Sequence, residues 1–260
     1  MADPIHQFEV SKIVDLPDIP IGGGRVIDMA FTNSTLAMTL AAGAIVLLMA
    51  VVTSKPAVVP GRVQSVGEML FGIVDNLTHN LIGPEGRAFS PFVLTLFLFI
   101  LAMNMLGLFL IFTATSQLAV TAALAIMTIL LVIGVGFARH GLGFFKLFVP
   151  SGVPWPVLFL VVPIEIVAFL LRPVTLALRL FGNMMGGHVA LKVFAGFVVS
   201  LGGLAAGGGL GLLGIPGAAL ALTGVVAITA LEFLVAFLQA FVFAVLTTIY
   251  LNDVVNIGHH

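Results

Sequence analysis

The most constraining feature of this sequence is a series of apolar runs that match or exceed the thickness of a lipid bilayer. The first, about residues 32–52, has the roughly 20 residues that a helix needs to cross a hydrocarbon core of about 30 Å. A second lies at 91–112 and a third at 118–137, separated only by TATSQ. Charged residues make up 8% of the chain, against about 25% in soluble domains. The pattern predicts an all-α polytopic membrane protein in which residues 91–137 form a helical hairpin.

Two further apolar tracts, at about 157–200 and 217–251, are too long to cross a bilayer along its normal. Helices over most of these residues would be about 58 Å and 52 Å long. We expect both to tilt steeply, with Pro163 and Pro173 as candidate kinks. The uncharged, glycine-rich segment 202–217 joins them, so residues 157–251 should form a second hairpin. The total is about five membrane crossings within a single membrane domain.

The polar segments indicate how the chain is oriented. Residues 55–88 contain the amphipathic stretch VQSVGEMLFGIVDNLTHNLIG, which predicts a helix in the membrane interface. Lys55 and Arg62 follow the first span, and Arg139 and Lys146 follow the third. By the positive-inside rule both loops are cytoplasmic. We therefore expect residues 1–31 to be extracytoplasmic and the C-terminus to be cytoplasmic.

Several classes of function are disfavoured by composition. The chain has no cysteine, which excludes thiolate metal sites and disulfides. A pI near 6.6 disfavours nucleic acid as a partner. No phosphate-binding lysine accompanies the glycines of segment 202–217, and no metal cluster or nucleophile triad is recognisable. We therefore expect no cofactor. The N-terminus lacks a basic-then-apolar pattern, so we expect no cleaved signal peptide.

Charged residues inside the last two tracts are the strongest functional signal. Arg179 lies deep in the first of them, and a guanidinium stays charged there. At the centre of a membrane helix, such a charge costs at least about 2.5–3.5 kcal/mol, so it is expected to have a functional partner or a water-filled path. Glu165, Arg172 and Arg179 are spaced seven apart and share one helix face. Asn183 falls near the same face.

The last tract carries a second set of polar residues. Glu232 and Gln239 are seven apart, and Tyr250 follows close to the same face. If the glycine-rich segment is the apex of a hairpin, Arg179 lies level with Gln239, and His188 lies level with Glu232. His188 should point away from the arginine face, where Glu232 could reach it.

Simpler structural roles remain open for several of these residues. Long basic side chains near helix ends often extend to the interface, which applies to Arg172 and Lys192. Tyr250 could belong to an interfacial aromatic belt. The side chains of Gln239 and Asn183 could form hydrogen bonds that only stabilise helix packing. The lone Asn104 of the second span could do the same.

The segments PVTLALRLFGNMMGG and LEFLVAFLQAFVFAVLTTIYL resemble the signature of subunit a of F-type ATP synthases. The resemblance is specific over about 160–251. It implies that Arg179 faces a rotor ring of c subunits and that Gln239 stands beside it. Asn183, Tyr250 and Glu165 match further family positions, Glu165 near the cytoplasmic end of its helix.

Two departures from the pattern of other members concern the proton path. Some members carry Glu at the position of His188 and His at the position of Glu232, so here the pair is exchanged but retained. The stretch MNMLGLFLIF lacks carboxylates that some relatives have in the second span. The resemblance implies two offset proton half-channels separated by Arg179, and the outer one is therefore expected to use fewer acids here than in those relatives.

The resemblance implies a non-catalytic, proton-conducting stator subunit of a rotary ATP synthase. Its expected partners are the c-subunit ring, b-type peripheral stalk subunits, the remaining synthase subunits and membrane lipid. The expected location is a bacterial inner membrane. Two other classes stay open from the residues alone: a stand-alone secondary transporter, against which the lack of a repeated half argues, and a structural anchor, which leaves the buried charges unexplained.

Overall fold

The computed structural model describes residues 10–15, 19–20, 26–27, 30–54, 57–109, 113–149, 154–206 and 214–257. The α-helices of this part of the chain are α1 (Asn33–Thr53), α2 (Arg62–Ile82), α3 (Ser90–Phe109), α4 (Leu118–His140), α5 (Trp155–Ala206) and α6 (Gly214–Val255). All except the amphipathic α2 are long and apolar enough to cross a membrane. The expected fold class, an all-α polytopic membrane protein with about five crossings, is confirmed. The steep tilt of α5 and α6 stays a prediction.

Short strands near the N-terminus are a feature that the sequence pattern did not predict. Strand β1 (Lys12–Asp15) pairs antiparallel with β4 (Ala30–Thr32), and β2 (Ile19–Pro20) pairs with β3 (Val26–Ile27). These runs are too short to produce a detectable alternation of polar and apolar residues. Residues 1–9, 16–18, 21–25 and 28–29 of the segment that we expected to be extracytoplasmic lie outside the described residues.

The helices α5 and α6 are longer than the sequence predicted. The predicted tract began at about residue 157, and α5 begins at Trp155, so that Pro156 lies in its first turn. A proline is tolerated in the first turn because its missing N–H would have no partner there. At the other end, α5 reaches Ala206 and α6 begins at Gly214, so both enter the glycine-rich segment. Residues 207–213 lie outside the described part of the chain.

The chain divides into two compact units. Unit 1 comprises Met1–Ala41, Met103–Gln117 and Leu180–Leu238, and unit 2 comprises Ala42–Ala102, Leu118–Arg179 and Gln239–His260. Fully buried side chains in unit 2 include Phe97, Ile100, Val132, Phe243 and Leu251, whereas those in unit 1 include Ala41, Leu180 and Ala236. Many large apolar side chains of both units are exposed, as expected for surfaces that lipid covers.

Polar and close-packed contacts hold the helices of unit 2. Arg139 at the end of α4 forms an ion pair with Glu85 and lies over the ring of Phe89. A side chain at Gly136 would overlap the ring of Phe144, which belongs to the 3₁₀-helix Gly141–Phe148. A glycine is therefore needed where this short helix folds back onto α4.

Candidate functional site

Arg179 is an exposed cation on an apolar surface of α5. The preceding side chains on this part of the helix include Val174, 46% exposed, and Leu178, 50% exposed. Within the described residues, no hydrogen bond or ion pair engages the Arg179 guanidinium. In hydrocarbon a charge in this position is costly. The surface around Arg179 therefore needs either water or a partner of opposite charge.

The other predicted residues on this part of α5 and α6 have contrasting environments. Gln239 is buried on α6, with 6% of its surface exposed, and it takes part in a polar or aromatic contact. Glu165 is half-buried on α5, and in the described part of the chain its carboxylate has no hydrogen bond or ion pair. Glu165 is thus an available acid, whereas Gln239 is part of a packed surface.

Arg172, one heptad before Arg179, is paired rather than available. Its Nη1 donates to Oδ2 of Asp253 at 2.9 Å. The guanidinium lies 4.6 Å from the ring centroid of Tyr250 and 5.3 Å from that of Phe169. An ion pair and two cation–π contacts therefore hold this cation against the C-terminal part of α6. The side chain of Arg172 therefore does not extend freely to the membrane interface, which was the simpler role left open by the sequence.

Asp253 is a site residue that sequence reasoning missed. It lies three residues after Tyr250, so both side chains share one face of α6. Side chains lean towards the N-terminus of their own helix. In an antiparallel pair, Arg172 and Asp253 therefore lean towards each other. The three-residue spacing of Tyr250 and Asp253 was a signal in the sequence that could have identified this acid.

In unit 1, His188 is held by a threonine from the connection between α3 and α4. The Nε2 atom of His188 lies 2.8 Å from Oγ1 of Thr113. The same hydroxyl donates to the carbonyl oxygen of Gly107 at 3.2 Å. Thr113 is buried, 3% exposed, and a side chain at Gly107 would overlap it. Nothing in the sequence singled out Thr113, because a loop residue carries no periodicity that aims it at a helix.

Glu232 occupies a buried position on α6 beside a glycine of α5. It is 7% exposed, and its Oε2 has no hydrogen-bond partner among the described residues. A Cβ at Gly187 would overlap Oε1 of Glu232, so the carboxylate lies directly against the α5 backbone. The hydrogen bond found for His188 goes to Thr113. Direct contact of His188 with Glu232 therefore stays a prediction.

Asn104 links α3 to α6 close to this acid. Its Nδ2 donates to the carbonyl oxygen of Ala236 at 3.2 Å, one helical turn beyond Glu232. The Oδ1 atom of Asn104 is buried without a partner in the described part of the chain. The interhelical hydrogen bond considered for this asparagine is present. Asn183 is exposed on α5 and also takes part in a contact.

Unit 1 contains two titratable side chains, His188 and Glu232, together with the hydroxyl of Thr113 and the amide of Asn104. The Oε2 atom of Glu232 and the Oδ1 atom of Asn104 lack partners in the described residues. An imidazole and a carboxylate can exchange protons with water. Among the described residues, no three His, Asp or Glu side chains lie close enough to hold a metal ion.

Comparison with known proteins identifies the family of the chain. Residues 35–252 match the family model described as ATP synthase A chain. The chain is 51% identical over 259 residues to ATP synthase subunit a of Allorhizobium ampelinum, covering 99% of both chains. It is 51% identical over 258 residues to that of a Chelativorans species and 52% identical over 259 residues to that of Rhizobium leguminosarum bv. trifolii, again with 99% of both chains covered.

Proposed function

Because the chain belongs to the ATP synthase subunit a family, we propose that it conducts protons to a rotor ring through two offset half-channels separated by Arg179. Members of this family are non-catalytic membrane subunits that assemble with the other ATP synthase subunits. Proton flow through the half-channels would turn a ring of carboxylate-bearing c subunits and so drive ATP synthesis elsewhere in the complex.

The observation that carries the proposal is that Arg179 is exposed on an apolar surface and forms no ion pair with any described residue. A rotor carboxylate that reaches this cation is stabilised in its ionised form and releases its proton. The guanidinium also repels a passing proton and has no lone pair with which to relay one. It therefore prevents protons from leaking directly from one half-channel to the other.

The proposed outer half-channel uses the polar residues of unit 1. Glu232 and His188 are the titratable groups, and Asn104 supplies an amide on the neighbouring helix. Two oxygens that lack a hydrogen-bond partner within the described residues, Oε2 of Glu232 and Oδ1 of Asn104, support this role, because buried polar atoms normally have a partner or a water molecule.

The proposed inner half-channel uses Glu165 as an acid at its cytoplasmic mouth. A carboxylate at an aqueous mouth raises the local concentration of protons. Tyr250 and Gln239 complete the set of family positions on α6. The orientation follows from the basic loops, which place residues 55–88 in the cytoplasm and 1–31 outside a bacterial inner membrane.

The test is to purify the chain from its native membrane in mild detergent and identify what accompanies it. A c-type ring, b-type stalk subunits and the soluble ATPase sectors are expected. Reconstituted vesicles of that complex should acidify on ATP addition. Solute flux by the chain alone, without companions, would instead support a secondary transporter. A chain that brings down no companion and supports no flux would support a structural anchor.

A further inference from the structure

Thr113 and His188 define which atom of the imidazole is free to exchange a proton. The Thr113 hydroxyl has a single hydrogen, and it is directed to the carbonyl oxygen of Gly107, which can only accept. The same oxygen lies 2.8 Å from Nε2 of His188. When the hydroxyl donates to Gly107, it accepts on the other side, and Nε2 then carries the hydrogen. This tautomer is the assignment that satisfies both contacts of the Thr113 hydroxyl.

We propose that Thr113 is a positioning residue that holds Nε2–H of His188 and leaves Nδ1 as the atom that takes up and passes on the proton. This inference rests on the proposed place of His188 in the outer half-channel. It goes beyond that role because it assigns the tautomer, the reacting atom and the residue that fixes them.

The proton step balances without any other reactant. The lone pair of Nδ1 forms an N–H bond with a proton from a hydrated proton, which leaves a water molecule behind. The imidazolium then donates from both nitrogens, and its Nε2–H bond to Thr113 is unchanged. The Nδ1–H bond next breaks towards a water oxygen or a carboxylate, and its electron pair returns to Nδ1. Glu232 is the candidate acceptor, because its Oε2 has no hydrogen-bond partner in the described part of the chain.

The surroundings of Thr113 suit a fixed anchor. Thr113 is buried, and so are its neighbours Ala114, Thr115 and Ser116, which form a 3₁₀-turn. The hydroxyl of Ser116 donates to the carbonyl oxygen of Thr113 at 2.6 Å. The Thr113 side chain also packs directly on Gly107 of α3. These contacts leave the hydroxyl little freedom to turn away from the ring.

The test compares variants at position 113 in the assembled complex in membrane vesicles. Thr113→Val keeps the shape of the side chain but removes the hydroxyl, whereas Thr113→Ser keeps the hydroxyl. ATP-driven proton pumping should fall about two- to tenfold in Thr113→Val, the range for one lost neutral hydrogen bond, and should stay near the wild-type rate in Thr113→Ser. A matched control is Thr128→Val, because the buried Thr128 hydroxyl donates to the carbonyl oxygen of Leu124 in its own helix. A complex with this control variant should pump protons at the wild-type rate.

A double variant distinguishes positioning from general damage. On a His188→Ala background, Thr113→Val should cause no further loss, because there is no ring left to orient. Multiplicative losses in the double variant would overturn the proposal. The proposal would also be overturned if Thr113→Val pumped protons at the wild-type rate while His188→Ala pumped slowly. Wild-type pumping in His188→Ala would instead remove the proposed role of His188 itself.

Assembly is checked by the amount of the chain retained in the purified complex. If Thr113→Val assembles poorly, Thr113→Ala takes its place with the same expected loss. Failure of both variants to assemble would contradict the proposal, because a hydroxyl that orients one ring does not decide whether the chain folds.

Discussion

Arg172 and Asp253 form an ion pair, with Nη1 and Oδ2 2.9 Å apart, although 81 residues separate them in the chain. Their side chains are 24% and 22% exposed. Arg179, one heptad further along α5, has no such partner in the described part of the chain. Two arginines on one helix face therefore have different environments: Arg172 has a counter-ion within the chain, whereas Arg179 has none among the described residues.

Folded stability should fall more when only one member of this ion pair is replaced than when both are replaced. Asp253→Asn leaves Arg172 half-buried without a counter-ion, which should cost about 1–3 kcal/mol of folded stability. The readout is the amount of assembled chain in membranes, with ATP-driven pumping measured alongside. The double variant Arg172→Gln/Asp253→Asn should recover part of the loss. Additive losses in this cycle would show that the two side chains do not stabilise each other.

Replacing Arg179 should abolish coupling while leaving the complex assembled. Arg179→Ala removes the fixed cation, so rotor carboxylates lose their stabilised ionised state and the barrier to direct proton flow disappears. Arg179→Lys should restore little, because lysine lacks the planar five-donor fork and can lose its proton when buried. Proton-driven ATP synthesis and ATP-driven pumping in vesicles measure the effect. Synthesis at close to the wild-type rate in Arg179→Ala would refute its proposed role.

Gly187 and Gly186 offer a matched pair of substitutions. Gly187→Ala would force a Cβ into Oε1 of Glu232 and displace the carboxylate, whereas the space around Gly186 is open within 4 Å. Proton pumping should therefore fall several-fold in Gly187→Ala and stay normal in Gly186→Ala. Alanine also favours a helix over glycine by about 1 kcal/mol, so neither change should weaken α5 itself. Equal pumping by the two variants would contradict the position assigned to Glu232.

The functional coupling of His188 and Glu232 can be tested by exchanging them. Glu232→Gln should slow proton entry strongly because it removes a titratable group, and His188→Ala should slow it moderately. The exchanged double variant His188→Glu/Glu232→His should recover more pumping than either single variant, since the acid and the imidazole are both retained. Losses that simply multiply would argue against coupling between the two positions.

Glu165→Gln should lower the rate of synthesis without uncoupling it. The effect should be largest at high pH, where protons are scarce and an acid at the channel mouth matters most. The control measurement is the ratio of protons pumped to ATP hydrolysed, which should not change. A larger fall at low pH than at high pH would contradict the proposed role.

Because the chain has no cysteine, Glu165→Cys introduces a unique site for a membrane-impermeant thiol reagent. Labelling is expected from the cytoplasmic side. Labelling from the outside alone would overturn the proposed orientation and, with it, the direction of both half-channels.

Much of the fold was predictable because hydrocarbon imposes a simple rule on sequence. A chain in lipid must satisfy its backbone hydrogen bonds locally, so long apolar runs become helices. This explains why α1, α3 and α4 begin and end within a few residues of the predicted spans. The N-terminal strands and the helical extensions into the glycine-rich segment were not predicted, because propensity there is weak and packing decides.

The sequence alone determined which residues are costly in a membrane and on which helix face each lies, because charge and a 3.6-residue period are local properties. Arg179, Glu232 and His188 could be identified on that basis. Only the tertiary structure showed that Asp253 neutralises Arg172 and that Thr113 holds His188. Those pairings join residues 81 and 75 positions apart. Such contacts depend on how helices and connections pack in space, which a periodicity within one segment does not encode.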